Sequence, residues 1–171
     1  MPAVIRINRG LTTGRYHLVD IFPEIAGYSA VADIFDDDSR RADVLANTNV
    51  WIADRRGYMM VDNETGAIRI SKYHLRDSED TILYLDIIHE LCHVKQHLQG
   101  LDLFDRAYVY VDRPTEIDAY RVTVKEARRM GLSDKAFLDY LWVEWITPEE
   151  HKRLARHLGV KAASIEKWRV P

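Results

Sequence analysis

A single cysteine, Cys92, stands in a chain of 171 residues. One thiol excludes an intramolecular disulfide and a zinc or iron–sulfur site built from cysteines. The chain also lacks any apolar run approaching the 18 or so residues that a membrane-crossing helix needs. Its opening residues, Met1-Pro2-Ala3-Val4-Ile5-Arg6, lack the apolar core and small-residue cleavage site of a signal peptide. No membrane association and a reduced, cytoplasmic setting are therefore expected. Charge of one sign is not in excess: 24 Lys and Arg face 27 Asp and Glu, a net charge of −3. That balance argues against a surface given over wholly to nucleic acid or anionic lipid. Internal repeats and low-complexity tracts are absent. With 47% hydrophobic residues, the chain has enough apolar surface to offset the entropy cost of folding, and its length suits one domain.

The first third reads as mixed. Residues 4–7 and 16–21 are strand-like, and residues 23–35 read as a helix. That helix closes in Asp36-Asp37-Asp38, which reads as a solvated loop. Three β-flavoured runs follow, at 50–53, 58–62 and 67–73. Asn63-Glu64-Thr65-Gly66 separates the last two and has the length and terminal glycine of a hairpin connection. In the third run Ile68 and Ile70 alternate with Arg69 and Ser71, the pattern of a half-exposed strand.

The second half reads as helical. A long helix spans about 79–98, with Asp77 or Ser78 as its N-cap and Gly100 as its stop. A second runs from Pro114 to about 130. Ser133 opens a third, rich in Phe137, Leu138, Leu141 and Trp142. Thr147-Pro148-Glu149-Glu150 has the form of a capping box with Pro at the first helical position. Strands first and helices afterwards imply an α+β fold.

The chemistry concentrates in His89-Glu90-Leu91-Cys92-His93, an H-E-x-x-H on the predicted long helix. Imidazoles at i and i+4 lie one turn apart on one face, where both can bind one Zn²⁺ at about 2.0–2.1 Å. The glutamate beside the first histidine falls to the side of the ion, placed to take a proton from its bound water. Advancing about 100° per residue, Asp86, His89, Glu90, His93 and His97 share a sector of roughly 100°. Apolar residues cover most of the remaining circumference. A solvated helix would show a broad charged face instead, so this pattern describes a buried helix lining a polar cleft.

Two residues compete for the third ligand position. His97 lies about 6 Å further along the axis than His93, beyond reach of an ion held by the first pair in a straight helix. The extended pattern H-E-x-x-H-x-x-G-x-x-H would need Gly and His where this chain has Gln96 and Gln99, which excludes that arrangement. The other is Glu116. On the wheel of the second helix it sides with Ala119, Tyr120, Thr123, Val124 and Ala127, whereas Asp118 sides with Arg121, Lys125 and Arg128. A carboxylate on the face to be buried requires a partner or a metal. Two histidines and one glutamate leave the fourth position to water, a catalytic zinc set of one ion per chain. Cys92 points away from the midline of the two histidines and reads as a small packing residue.

His89-Glu90-x-x-His93 followed by Glu116-x-x-Ala119 resembles the zinc metallopeptidases whose third ligand is a glutamate on the next helix, the gluzincins in the broad sense. The small ImmA/IrrE-type intracellular peptidases offer the nearest comparison. The resemblance covers about residues 67–130. It implies a zincin-like domain, a short antiparallel or mixed sheet before the H-E-x-x-H helix and a mostly helical second half. It further implies hydrolysis of peptide or protein substrates through a metal-bound water, with Glu90 as general base. The strand before the active-site helix would bind extended substrate, and residues 67–73 occupy that place, as an edge strand open to β-augmentation. Tyr120 stands where many gluzincins carry an acid that orients a ligand histidine, so that support is assigned to Asp86. The oxyanion donor is open among Tyr120, His97, Tyr110 and His151, and Tyr120 is taken as the catalytic candidate. His97 remains a candidate for the cleft or for support of a ligand.

Residues 147–171 are expected to form a helical extension on a metallopeptidase domain of residues 1–146. Leu154-Ala155-x-x-x-Gly159-Val160, with Ile165 and Trp168, matches helix-turn-helix spacing, and residues 151–171 carry Lys152, Arg153, Arg156, Lys161, Lys167 and Arg169. Two alternatives to a plain peptidase follow. One is a regulator that cleaves a repressor or partner and uses these helices to contact DNA or protein. The other is a non-catalytic zinc module, against which an intact Glu90 speaks.

Overall fold

The computed structural model describes residues 5–161. The fold is α+β, with one four-stranded mixed sheet and eight α-helices among the described residues. The chain divides into two compact units, residues 1–103 and 104–171. Among the described residues no helix is long and apolar enough to cross a membrane.

The first unit holds the sheet, in the order β1-β2-β4-β3. Its strands are β1 (Gly14–His17), β2 (Asn49–Ala53), β3 (Met59–Val61) and β4 (Ile68–Ser71). β1 runs antiparallel to β2, β2 parallel to β4, and β3 antiparallel to β4. Val50 pairs with Ile68 and Ile52 with Ile70, so one face is a continuous apolar layer of buried side chains. The expected hairpin is present. Asp62 sets it: its carboxylate accepts from the Glu64 and Thr65 backbone N–H groups, both at 3.0 Å, and from the Thr65 hydroxyl at 3.1 Å. These bonds, the Thr65 amide first, hold the Asp62 carboxyl below its usual range.

Gly66 closes the turn at φ +71°, and a Cβ there would meet His97 Cδ2 at 2.5 Å. Gly66→Ala therefore meets both a left-handed backbone and a ring. It is expected to cost about 1–3 kcal/mol, read as a lowered Tm in thermal unfolding. An unchanged Tm would refute this account of the turn.

Five expectations for the first unit are corrected. β4 is an inner strand, hydrogen-bonded to β2 on one side and β3 on the other, so it offers no edge to a peptide. Residues 5–7 form no strand, and residue 4 lies outside the described residues. The run at 16–21 splits into the end of β1 and helix α1 (Leu18–Ile21), where the His17 N–H donates to Asp20 at 2.8 Å. The helix expected over 23–35 is a 3₁₀ turn (Ile25–Gly27) followed by α2 (Ser29–Ile34), broken at Gly27 and Tyr28. The acidic cluster is more than a loop: Asp37 caps α3 (Asp38–Asn47), accepting from the Arg40 N–H at 2.6 Å.

Two helices complete this unit. β4 runs directly into α4 (Lys72–Asp77), and α5 (Asp80–Leu98) follows with Glu79 at its N-cap. Ser78, expected to cap the long helix, is instead the C-cap residue of α4. α5 is buried nearly all round, at Leu83, Tyr84, Leu85, Ile87, Ile88, Leu91 and Val94. It packs against β3 and α2, where Tyr84 meets Tyr28 edge-on at 4.9 Å.

The second unit contains a 3₁₀ turn (Tyr110–Asp112), α6 (Pro114–Arg129), α7 (Asp134–Leu141) and α8 (Pro148–His157). The caps expected at Ser133 and Thr147 both form, the latter as a full capping box. Asp112 ties the 3₁₀ turn to α8, accepting from Arg153 Nε at 2.8 Å and pairing with His157 at 3.0 Å. Residues 162–171, which carry Ile165, Lys167, Trp168, Arg169 and the second helix of the expected helix-turn-helix, lie outside the described residues.

A candidate metal centre

α5 supplies the two histidines because H-E-x-x-H places them one turn apart on a helix that burial holds in position. His89 and His93 are each about 95% buried. Their rings stand 83° apart with centroids 4.7 Å apart, and the two Nε2 atoms face each other at 3.0 Å. Two nitrogens bound to one tetrahedral ion at about 2.05 Å would lie roughly 3.3 Å apart. The pair is thus close to a shared-ligand geometry.

Gln96, also buried, completes this arrangement. Its Oε1 accepts from His93 Nδ1 at 2.7 Å. That bond places the His93 proton on Nδ1 and leaves the Nε2 lone pair facing His89. In the sequence, Gln96 serves only to exclude the longer H-E-x-x-H-x-x-G-x-x-H motif. Its spacing, three residues after His93 on one helix, was a signal that could have found it.

Glu116 sits in the first turn of α6 and is buried, as its wheel position required, while Asp118 is exposed and paired with Arg121 at 2.9 Å. Arg113 approaches the Glu116 carboxylate at 3.7 Å. One ligand atom from each of His89, His93 and Glu116 lies within 4.8 Å of the others. Among the described residues this is the one His, Cys, Asp or Glu group so gathered. Two borderline imidazole donors and one carboxylate suit a divalent ion, so the group fits a metal site. Glu90 is buried next to His89 in the chain, and Cys92 is buried on the same helix.

The remaining candidates have these places. Asp86 accepts from His74 Nε2 at 2.6 Å. The His97 ring lies against Gly66, in a cleft of about 270 Å³ shared with Asp43, Asn47, Thr65 and Val94, and none of the three metal donors lines it. Tyr120 is buried on the Glu116 side of α6, its hydroxyl 2.8 Å from that of Tyr110. His151 is spent in its own unit: Nε2 donates to the Leu138 carbonyl at 2.8 Å and Trp142 packs edge-on at 5.3 Å.

Burial holds His151 below the usual histidine value of 6.5, an effect the Leu138 bond only partly opposes. As pH falls through about 6.5 the unfolded chain takes up a proton that the folded chain refuses. This contribution to stability is whole above that pH and drains as pH drops toward the folded value. Tm measured from pH 7.5 to 5 is expected to fall less in His151→Gln than in the parent, and equal slopes would refute it.

Comparison of the chain with protein-family models, with curated proteins and with solved structures gives no match.

Proposed function

We propose that this chain is a zinc-dependent peptidase in which His89, His93 and Glu116 hold the metal and Glu90 is the general base. The observation that carries the reading is the gathering of three buried donors within 4.8 Å, with a buried glutamate next in the chain to the first. Zinc bound by this set would polarise a scissile carbonyl and acidify an attacking water. Gln96 keeps the His93 proton on Nδ1, so that Nε2 carries the lone pair a metal would take. Glu90 accepts the proton of the attacking water and returns it to the departing amine. Burial of this carboxylate favours a base that works away from bulk solvent. Tyr120, oriented by its hydroxyl contact with Tyr110, is the donor proposed for the developing oxyanion. A structural metal site has no use for Glu90, which favours catalysis over a folding role.

The sheet order moves the expected peptide-pairing edge. β4 has both sides occupied, whereas β3 is the outer strand and packs on α5. We assign extended-substrate pairing to the outer edge of β3. Metal analysis of the purified chain is expected to give about one zinc, and the loaded chain to cleave casein in a chelator-sensitive manner. Full cleavage by the metal-free chain would overturn the proposal.

A further inference from the structure

A second constellation lies in the first unit, on α4 and α5, outside the proposed metal ligands. The Ser78 hydroxyl is 2.7 Å from His74 Nδ1, and His74 Nε2 is 2.6 Å from Asp86 Oδ2. A carboxylate accepts, so Nε2 carries the proton and Nδ1 holds the lone pair that receives the Ser78 O–H. We propose that Ser78 is a nucleophile in its own right, deprotonated by His74, which Asp86 orients, and that it takes acyl groups from activated carboxylic esters. The arrangement meets the general signature of an activated serine: a hydroxyl bonded to a base whose other nitrogen is held by an acid. The ring is turned end for end relative to the usual triad, which changes the nitrogen that takes the proton and nothing else in the logic.

Local structure supports this assignment. Ser78 ends α4 and Glu79 caps α5, so the serine hydroxyl is not consumed in capping the long helix. Ser78 is half-exposed while His74 is buried, which puts the nucleophile within reach of solvent and keeps its base dry. Tyr58 stands edge-on to the His74 ring at 5.4 Å and covers it. Arg9 donates to the carbonyls of Leu75 at 2.7 Å and Arg76 at 3.2 Å and pairs with Asp80. Arg9 thus ties the end of α4, before Ser78, to the first turn of α5, after it, and holds the backbone on either side of the serine.

The step balances without any metal or redox partner. Ser78 Oγ forms a bond to the ester carbonyl carbon, and its proton passes to His74 Nδ1. The bond to the ester's alkoxy oxygen breaks, and His74 returns the proton to that leaving group. Water then attacks the acyl-serine by the same proton route, releasing a carboxylic acid and restoring Ser78.

The test uses the full chain, an alkyl fluorophosphonate as covalent probe and peptide mass mapping. The readout is an adduct on Ser78, which the proposed metal chemistry cannot leave, so the two proposals fail separately. An adduct on Ser78 at least tenfold above that on the exposed Ser39, and lowered at least tenfold by His74→Gln, is the expected result. Absence of that excess, or an adduct indifferent to His74→Gln in folded protein, overturns the proposal. Should His74→Gln fail to fold, Ser78→Cys keeps the test alive. Its alkylation by iodoacetamide at pH 7 is expected to exceed that of Ser39→Cys at least tenfold, because the imidazole draws off the thiol proton. Adding Asp86→Asn to Ser78→Cys, at unchanged Tm, should slow that alkylation severalfold. Equal rates at the two cysteines would reject the nucleophile, and no slowing would reject Asp86 as its positioning residue.

Discussion

Glu116→Ala is expected to cut zinc affinity roughly one to two hundredfold. Structural zinc sites bind with about 10–16 kcal/mol, so each of about four ligand positions carries roughly 3 kcal/mol, or about two decades in affinity. Glu116→Gln should lose nearly as much, since a neutral amide oxygen is a poor zinc ligand in place of a carboxylate. Both variants also leave the Arg113 guanidinium, 3.7 Å from the present carboxylate, without that counter-charge. Some loss of stability should therefore accompany the loss of metal. Asp118→Ala serves as the control, because Asp118 is on the exposed side of α6 and should leave zinc untouched. Competition titration with a chromogenic chelator gives the affinities. Zinc bound equally well by Glu116→Ala and the parent would remove Glu116 from the ligand set.

The second large effect separates binding from chemistry. Glu90→Gln should retain about one zinc per chain and lose about 10²–10⁴ in kcat for casein or an unfolded test protein. That range corresponds to roughly 3–5 kcal/mol of lost transition-state stabilisation. Gln has the shape of Glu and keeps an oxygen acceptor, so the helix around residue 90 should stay packed. A fall in kcat with KM little changed would mark loss of proton transfer rather than of substrate contacts. Cleavage at the parent rate by a zinc-loaded Glu90→Gln chain would end the assignment of Glu90 as the base.

The long helix was the most legible part of the sequence. Its apolar circumference with a narrow His and Glu stripe announced both its burial and its chemistry, and α5 runs over Asp80–Leu98. The same wheel logic separated Glu116 from Asp118 on α6, where two residues of spacing decide between core and solvent. Caps at Ser133 and Thr147 were readable because their bonds are local. The N-terminal third was not. The apolar residues at 25–34 satisfy a helical period, yet Gly27 and Tyr28 divide them between two short elements. α3 carries one buried residue, Leu45, and so gave no apolar stripe to find. The edge assignment of β4 failed for a different reason: alternation reports exposure of a face, and says nothing of what is bonded along the two sides. The contact between His74 and Asp86 joins two helices across the break at Ser78, and no spacing rule reaches over such a break.

The order β2-β4-β3 has a consequence for how the molecule assembles. β3 precedes β4 in the chain but lies outside it, so β4 must be placed between two strands made before it. The local β3–β4 ribbon, pinned by Asp62, can close in about 1–10 μs. Its docking on β2 as a preformed pair would then bring the emerging α4 and α5 to the sheet last. Contacts inside the ribbon should accordingly be present in the rate-limiting ensemble, with those of β1 arriving after it. Denaturant chevrons would read Asp62→Ala chiefly in the refolding limb; Arg15→Ala, which strips the β1 guanidinium from the Trp51 ring of β2 4.5 Å away, would be read chiefly in the unfolding limb.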